Sequence, residues 1–261
     1  MTVQNGFELH GVQHLSASSL NLWASEPALW VMERLLGLRG PGNAMMARGK
    51  AVEEGIHAGL VDNSMGAEEC SAIALSAYDN EMARLQDEKH DSERQNIPGY
   101  VEHGLAELRQ YGAPTAYQDR VEYRLDDVPV PLIGFIDWRF DQHGLIVDLK
   151  TSERFPSAIS QSHARQGAIY ARAHGNYGMR FAYVKPSAGK KDGRAVTVYE
   201  LGRDEIDKQI IALRQIALRL ERFLRLSRDP QELSNLLVPD YDGFYWSNPI
   251  TRANGAQVYG F

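Results

Sequence analysis

The feature that most limits how this chain can fold is a change of hydrophobic period near residue 113. Upstream, apolar residues recur at the three- and four-residue spacing of amphipathic helices. Downstream come three short runs rich in Val, Ile, Tyr and Phe, near Ala116–Leu125, Val130–Asp141 and Leu145–Lys150. Asp126–Asp127 and Gln142–His143–Gly144 separate these runs, which read as an antiparallel meander with tight turns. A helix is predicted next from about Pro156 to His174, then strands near Arg180–Lys185 and Ala195–Glu200, then a long amphipathic helix from Asp204 to about Leu226. Helices, three strands, helix, strands, helix is the order of a mixed sheet flanked by helices. A doubly wound dinucleotide fold would alternate throughout.

In the upstream part, Ser16 and Ser18 can cap a helix running through LNLWASEPALWVMERLLG, ended by Gly37 and the Gly-Pro-Gly around Pro41. A second helix is expected from Ala44 to about Val61, and one or two more between Ala67 and Tyr111, broken at Pro98–Gly99. From Pro239 onward aromatics, Gly and Asn suggest an irregular tail. No repeat or Pro/Gly/Ser linker divides the 261 residues, so one domain is expected: a helical part over 1–112, a core over 113–226 and an extension over 227–261. With 43% hydrophobic and 24% charged residues the composition excludes wholesale disorder. No apolar run approaches the roughly 20 residues that span a bilayer, and the start carries no basic-then-apolar leader. Cys70 is the sole cysteine, which excludes an intramolecular disulfide and a four-thiolate cluster. A reducing cytoplasm is the expected home.

The chemistry concentrates in GFIDWRFDQHGLIVDLKTS. Asp137 sits in the second apolar run, Asp148 ends the third, and Lys150 follows two residues on. Side chains two apart on a strand share a face, so Asp148 and Lys150 point the same way. A hairpin through Gly144 can bring Asp137 beside Asp148, where two carboxylates repel unless a cation lies between them. Oxygen ligands favour a hard ion, Mg2+ or Mn2+, and the backbone carbonyl of Leu149 can point at the same ion. Lys150 could then hold an attacking water or stabilise charge on a phosphate. Asp-x-Lys alone is common on strands, and it describes a hairpin with charged ends equally well.

Gly-Phe-Ile-Asp, ten residues and then Asp-Leu-Lys together resemble the signature of the PD-(D/E)XK nuclease superfamily, particularly its RecB-like and phage-exonuclease branches. RGKAVEEGIH is similar to the branch's Arg-Gly followed by a metal-binding helix residue. QGAIY resembles its Gln-x-x-x-Tyr motif, at Gln166 and Tyr170, and LSASSLNLWASEPALW its first helix, which typically begins Ser-x-Ser. The pattern departs at Ile136, where the superfamily's name has Pro. The resemblance implies an α/β fold with a restriction-endonuclease-like core, α-β-β-β-α-β around a mixed central sheet, with extra N-terminal helices. It implies hydrolysis of DNA with one or two Mg2+ or Mn2+ ions, held by Glu53, Asp137, Asp148 and the Leu149 carbonyl, with Lys150 catalytic. Glu53, four residues after Gly49, takes the position of the helical ligand. His57, four further on and on the same face, is a supporting group or the alternative ligand. Gln166 and Tyr170 would orient ligands or contact DNA. Relatives often carry an iron–sulfur cluster on cysteines at both ends; with Cys70 alone none is expected. The preferred role is an exonuclease on DNA ends in recombination or repair, in a bacterium or phage-infected host, beside a single-strand annealing or other recombination protein. A structure- or site-specific endonuclease and a silent DNA- or protein-binding module are the rivals, and intact Asp137, Asp148 and Lys150 count against silence.

The net charge of −6 at first opposes a nucleic-acid partner, but its distribution does not. Between Lys150 and Leu226, 15 Lys and Arg stand against 7 Asp and Glu. Such asymmetry can give an acidic protein one basic surface, and Arg154, Arg165, Lys185, Lys190, Lys191 and Arg194 are the candidate phosphate contacts. Charged helix faces that only meet solvent are the competing account. Tyr241, Phe244, Tyr245 and Trp246 are too dense for routine surface; they either seal the core or stack on unpaired bases.

Overall fold

Residues 4–175, 177–189 and 193–261 are described by a computed structural model. The first part is helical: a one-turn α1 (Gly6–Leu9), then α2 (Ala17–Ser25), α3 (Pro27–Arg34), α4 (Ala44–Val61), α5 (Ala67–Met82) and α6 (His90–Leu108). Ser16 caps α2 by accepting from the Ser19 N–H, and Asn43 caps α4 by accepting from Met46. The helix expected through LNLWASEPALWVMERLLG is two helices. Pro27 offers no N–H to continue the ladder and forces Glu26 out of helical backbone, to φ −144° and ψ 77°. Pro98, expected to break a helix, instead lies inside α6. Pro98 is itself exposed, but α6 buries Ile97, Tyr100, Val101 and Leu105, and that packing outweighs one lost hydrogen bond. Gly99 beside it is required by a close approach, since a Cβ there would collide with the Pro186 carbonyl.

The meander follows as β1 (Ala116–Tyr123), β2 (Leu132–Phe140) and β3 (Leu145–Thr151), each antiparallel to the next. A crossover through α7 (Gln161–Ala173) leads to β4 (Gly178–Val184), which pairs parallel with β3, and β5 (Val196–Glu200) closes the edge antiparallel. The result is a five-stranded mixed sheet in the order β1-β2-β3-β4-β5. The crossover helix begins later than Pro156 because Ser160 is its cap, accepting from the His163 N–H. After the sheet come α8 (Arg203–Leu224), α9 (Pro230–Ser234) and α10 (Pro249–Tyr259). The tail expected to be irregular thus ends in a helix. Asn248 caps it, Pro249 occupies its first turn and Gly260 ends it in the left-handed region.

The sheet separates two cores. On one face Trp23, Ile136, Ile146, Ile169, Phe181 and Leu220 pack between the strands and α2, α7 and α8. On the other, Val52, Ile56, Tyr100, Trp138, Phe140 and Val147 pack beneath α4, α5 and α6. Each such side chain stabilises the fold by about 1.5–3 kcal/mol relative to exposure, which holds α4 and α7 rigidly over opposite faces of β3. A smaller cluster of Ala28, Leu29, Met32 and Trp246 fastens the C-terminal segment to α3. Among the described residues no helix is long and apolar enough to cross a membrane.

Candidate active site

The site forms where the sheet opens. β2 pairs with β3 only at Trp138–Val147, Arg139–Ile146 and Phe140–Leu145. Farther along the same edge of β2 its next partner is Leu15, which bridges Leu132 and accepts from the Ile133 N–H at 2.8 Å. Between the two lies a gap, and Asp137 and Asp148 are the first residues past the last paired rung. Asp137 Oδ2 accepts the Leu149 N–H at 2.8 Å, so a side chain takes the place of the missing strand partner. Asp148 is fully buried, and Lys150 Nζ lies 2.5 Å from its Oδ1 on the same strand face, as alternation requires. That contact is poorly angled, and neither oxygen of Asp148 has an aligned hydrogen bond.

Helix α4 brings Glu53 to this gap. With Asp137, Leu149 and Lys150 it lines a cleft of about 700 Å3, and its Oε1 accepts from the side-chain amide of Gln118 on β1. Buried Arg48 fixes the helix in place, pairing with Glu93 on α6 and donating to Thr151 Oγ1, at the end of β3, over 3.1 Å. His57 is turned from the cleft: its ring stacks on Tyr117, centroids 3.7 Å apart. Glu54 is exposed on α4. From the opposite face, α7 supplies Gln166, whose Oε1 accepts from Lys150 Nζ at 3.0 Å and whose amide donates to the Tyr170 hydroxyl at 2.9 Å. Gly134 on β2 makes room, because a Cβ there would press into the Tyr170 ring.

Burial raises the pKa of Asp137 well above the carboxylate range, and Asp148 and Glu53 raise it further. Burial likewise raises Asp148, opposed by Lys150. Glu53 is raised to about 7 by burial, which outweighs its hydrogen bond from Gln118, with Asp148 adding to the rise. Burial alone would lower Lys150; Asp148 and Asp137 outweigh it and leave the ammonium above its ordinary value. Three acids that each resist ionisation, one of them the buried Asp148 carboxylate lacking aligned donors, are a donor set suited to a hard cation. Among the described residues no three His, Cys, Asp or Glu side chains already converge closely enough to hold an ion. The Gln118, Leu149 and Lys150 contacts occupy the three carboxylates in this arrangement.

The remaining candidates divide. Arg154 and Arg194 are exposed, Arg165 donates to Asn21 Oδ1 at 2.9 Å, and the Lys185 ammonium sits 4.2 Å from the Phe155 ring centroid. Lys190 and Lys191 lie outside the described residues. Much of the basic segment is matched by acids: Arg172 pairs with Asp207, Arg180 with Glu200, Arg214 with Asp127 and Arg225 with Glu221. The aromatic tail divides between buried and exposed rings. Trp246 is buried and seals, whereas Phe244 and Tyr245 are 76% and 43% exposed and line the cleft.

A second cleft of about 740 Å3 adjoins the first across Lys150 and Tyr245, lined by Ser16, Asn21, Phe135, His163 and Gln166 among others. His163, which in sequence reads as a surface residue, is half-buried there with Nδ1 2.7 Å from the Tyr183 hydroxyl. Burial, then the Lys150 charge, lowers its pKa to about 4. Arg48, Gln118 and His163 carry no role in the sequence reading. Only Arg48 had a signal, the Arg-Gly step before Glu53.

The PD-(D/E)XK nuclease superfamily profile matches residues 14–233. The chain is similar in fold to the crystal structure of a Eubacterium rectale protein provisionally named an exonuclease. The two share 12% identity with a TM-score of 0.62 over 94% of this chain and 92% of that one. A second structure, SSO0001, aligns at 15% identity over 66% of this chain and 85% of that one, with a TM-score of 0.35, too distant to inform the fold. No curated protein sequence matches the chain.

Proposed function

The chain belongs to the PD-(D/E)XK nuclease superfamily, and from that premise we propose that it is a metal-dependent deoxyribonuclease degrading DNA from its ends, in recombination or repair. The observation that carries this reading is the pair of acids, Asp137 and Asp148, at the rung where β2 and β3 part, with Lys150 beside them in an open cleft. Glu53, Asp137, Asp148 and the Leu149 carbonyl would hold one or two Mg2+ or Mn2+ ions. In a strand the N–H and C=O of one residue point to the same edge, which directs that carbonyl into the opening its N–H faces. A divalent ion held by these groups would supply an activated water and neutralise charge gathering on the phosphate.

The protein's own groups do the rest. Lys150, kept as an ammonium by the two aspartates, donates to the phosphate oxygens rather than acting as a base. Gln166, backed by Tyr170, holds the Lys150 amine in place. His57, stacked behind Tyr117, supports α4 and is not a ligand. Phe135, Phe244 and Tyr245 expose ring faces along the two clefts, a surface suited to unpaired bases at an end. Residues 1–261 act as one unit in this reading, with the 227–261 extension supplying two of those rings. End action is tested with linear and covalently closed circular DNA in Mn2+. Loss of the linear form alone supports it, and linearised or nicked circles would assign an endonuclease.

A further inference from the structure

One residue of β1 has a backbone out of keeping with a strand. Gln118 has φ 49°, in the left-handed region that favours glycine. It is not at a turn: the ladder runs through Tyr117–Trp138, passes over Gln118 and Asp137, and resumes at Asp119–Ile136. Side-chain phase inverts across that pair in both strands. Strict alternation puts Tyr117 on the face of Val121, and Trp138 on the face of Ile136. Instead Val121 and Ile136 pack with α2, α7 and α8, while Tyr117 and Trp138 pack beneath α4. The inversion carries the Gln118 amide to α4, where it donates to Glu53 Oε1. Gln118 is itself exposed, so no apolar burial of its own accounts for the strained backbone. Strain of this kind persists where the surroundings impose it, and it clusters at functional sites.

We infer that Gln118 is a positioning residue for the metal site: its left-handed backbone and side-chain amide hold the Glu53 carboxylate at the cleft, toward Asp137. This rests on the metal-dependent reading of the site. Carboxylates that bind metals are themselves held by hydrogen bonds from an outer layer, and removing such a partner costs about 10–100-fold in metal affinity or activity.

The experiment compares wild type, Gln118→Gly and Gln118→Asn, measuring Mn2+ affinity by calorimetry, thermal unfolding, and cleavage against Mn2+ concentration. Glycine accepts the left-handed backbone freely, and asparagine tolerates it with a side chain one methylene shorter. Both variants should fold, Gln118→Gly with a Tm no lower than wild type, and both should bind Mn2+ about 10–100-fold more weakly. Their cleavage should return toward the wild-type rate at saturating Mn2+. A role confined to folding moves the Tm and leaves affinity alone. Wild-type Mn2+ affinity in Gln118→Gly overturns the inference while leaving the nuclease reading intact. If wild type binds no Mn2+ and cleaves without it, the metal-dependent reading falls too.

Discussion

Burial raises the pKa of Asp137, Asp148 and Glu53, and the Asp148 charge adds to the rise at both Asp137 and Glu53. A carboxyl whose pKa is raised by folding favours the fold at low pH, and that contribution is lost as pH rises from its unfolded value through its folded one. For Glu53 that window runs from 4.5 to about 7. Metal-free protein should therefore lose thermal stability across this range, and Asp148→Asn should melt higher than wild type at pH 8 in EDTA. The expected gain is about 2–4 °C per kcal/mol of relieved repulsion in a chain of this size, read by scanning fluorimetry. Equal melting at pH 8 would mean that the acids do not strain one another. Lys150→Ala should cut cleavage by about 100–1,000-fold while sparing Mn2+ binding, because it removes a fixed charge and not a ligand. The two aspartates and the lysine were legible because a strand's two-residue period puts Asp148 and Lys150 on one face. Gln118 was not legible: that same period fails at it, and nothing local in the sequence announces a left-handed residue within a strand. His163 was missed because its burial comes from Tyr183 and Phe181, on a strand that follows it in the chain.

Element boundaries show where local signals decide and where packing overrides them. Pro27 ends a helix that hydrophobic spacing alone would have continued, whereas the packing of Ile97, Tyr100, Val101 and Leu105 carries α6 past the exposed Pro98. The final helix was marked by its cap, its first-turn proline and its terminal glycine, signals that aromatic density obscured. That segment makes two opposite predictions. Trp246→Ala, which empties a fully buried site against α3, should destabilise the protein by about 3–5 kcal/mol in denaturant unfolding. Phe244→Ala with Tyr245→Ala should leave stability near wild type and weaken single-stranded DNA binding by about 1–3 kcal/mol for each stacked base lost. Unchanged DNA affinity in the double variant would reduce both rings to surface.

Across the whole molecule, the mixed sheet flanked by helices followed from the period change, and the family from four motifs in their order. The basic surface followed less well, since several arginines counted toward it are paired to acids that sequence could not bring near. Arg154 and Lys185 lie just past the Thr151–Val184 rung, at the same ends of β3 and β4 as Lys150. Replacing both with alanine should flatten the log–log salt dependence of duplex binding by roughly 2 units if each meets a phosphate. The central claim is that Asp137, Asp148 and Lys150 cleave DNA with a divalent ion. Its most direct test is the initial rate of end-labelled linear DNA cleavage by wild type and Asp148→Ala over a Mn2+ titration, with EDTA as the zero point. The account predicts a wild-type rate that rises from nothing and saturates, and no cleavage by Asp148→Ala at any concentration. Cleavage that survives in EDTA, or in Asp148→Ala at near the wild-type rate, contradicts it.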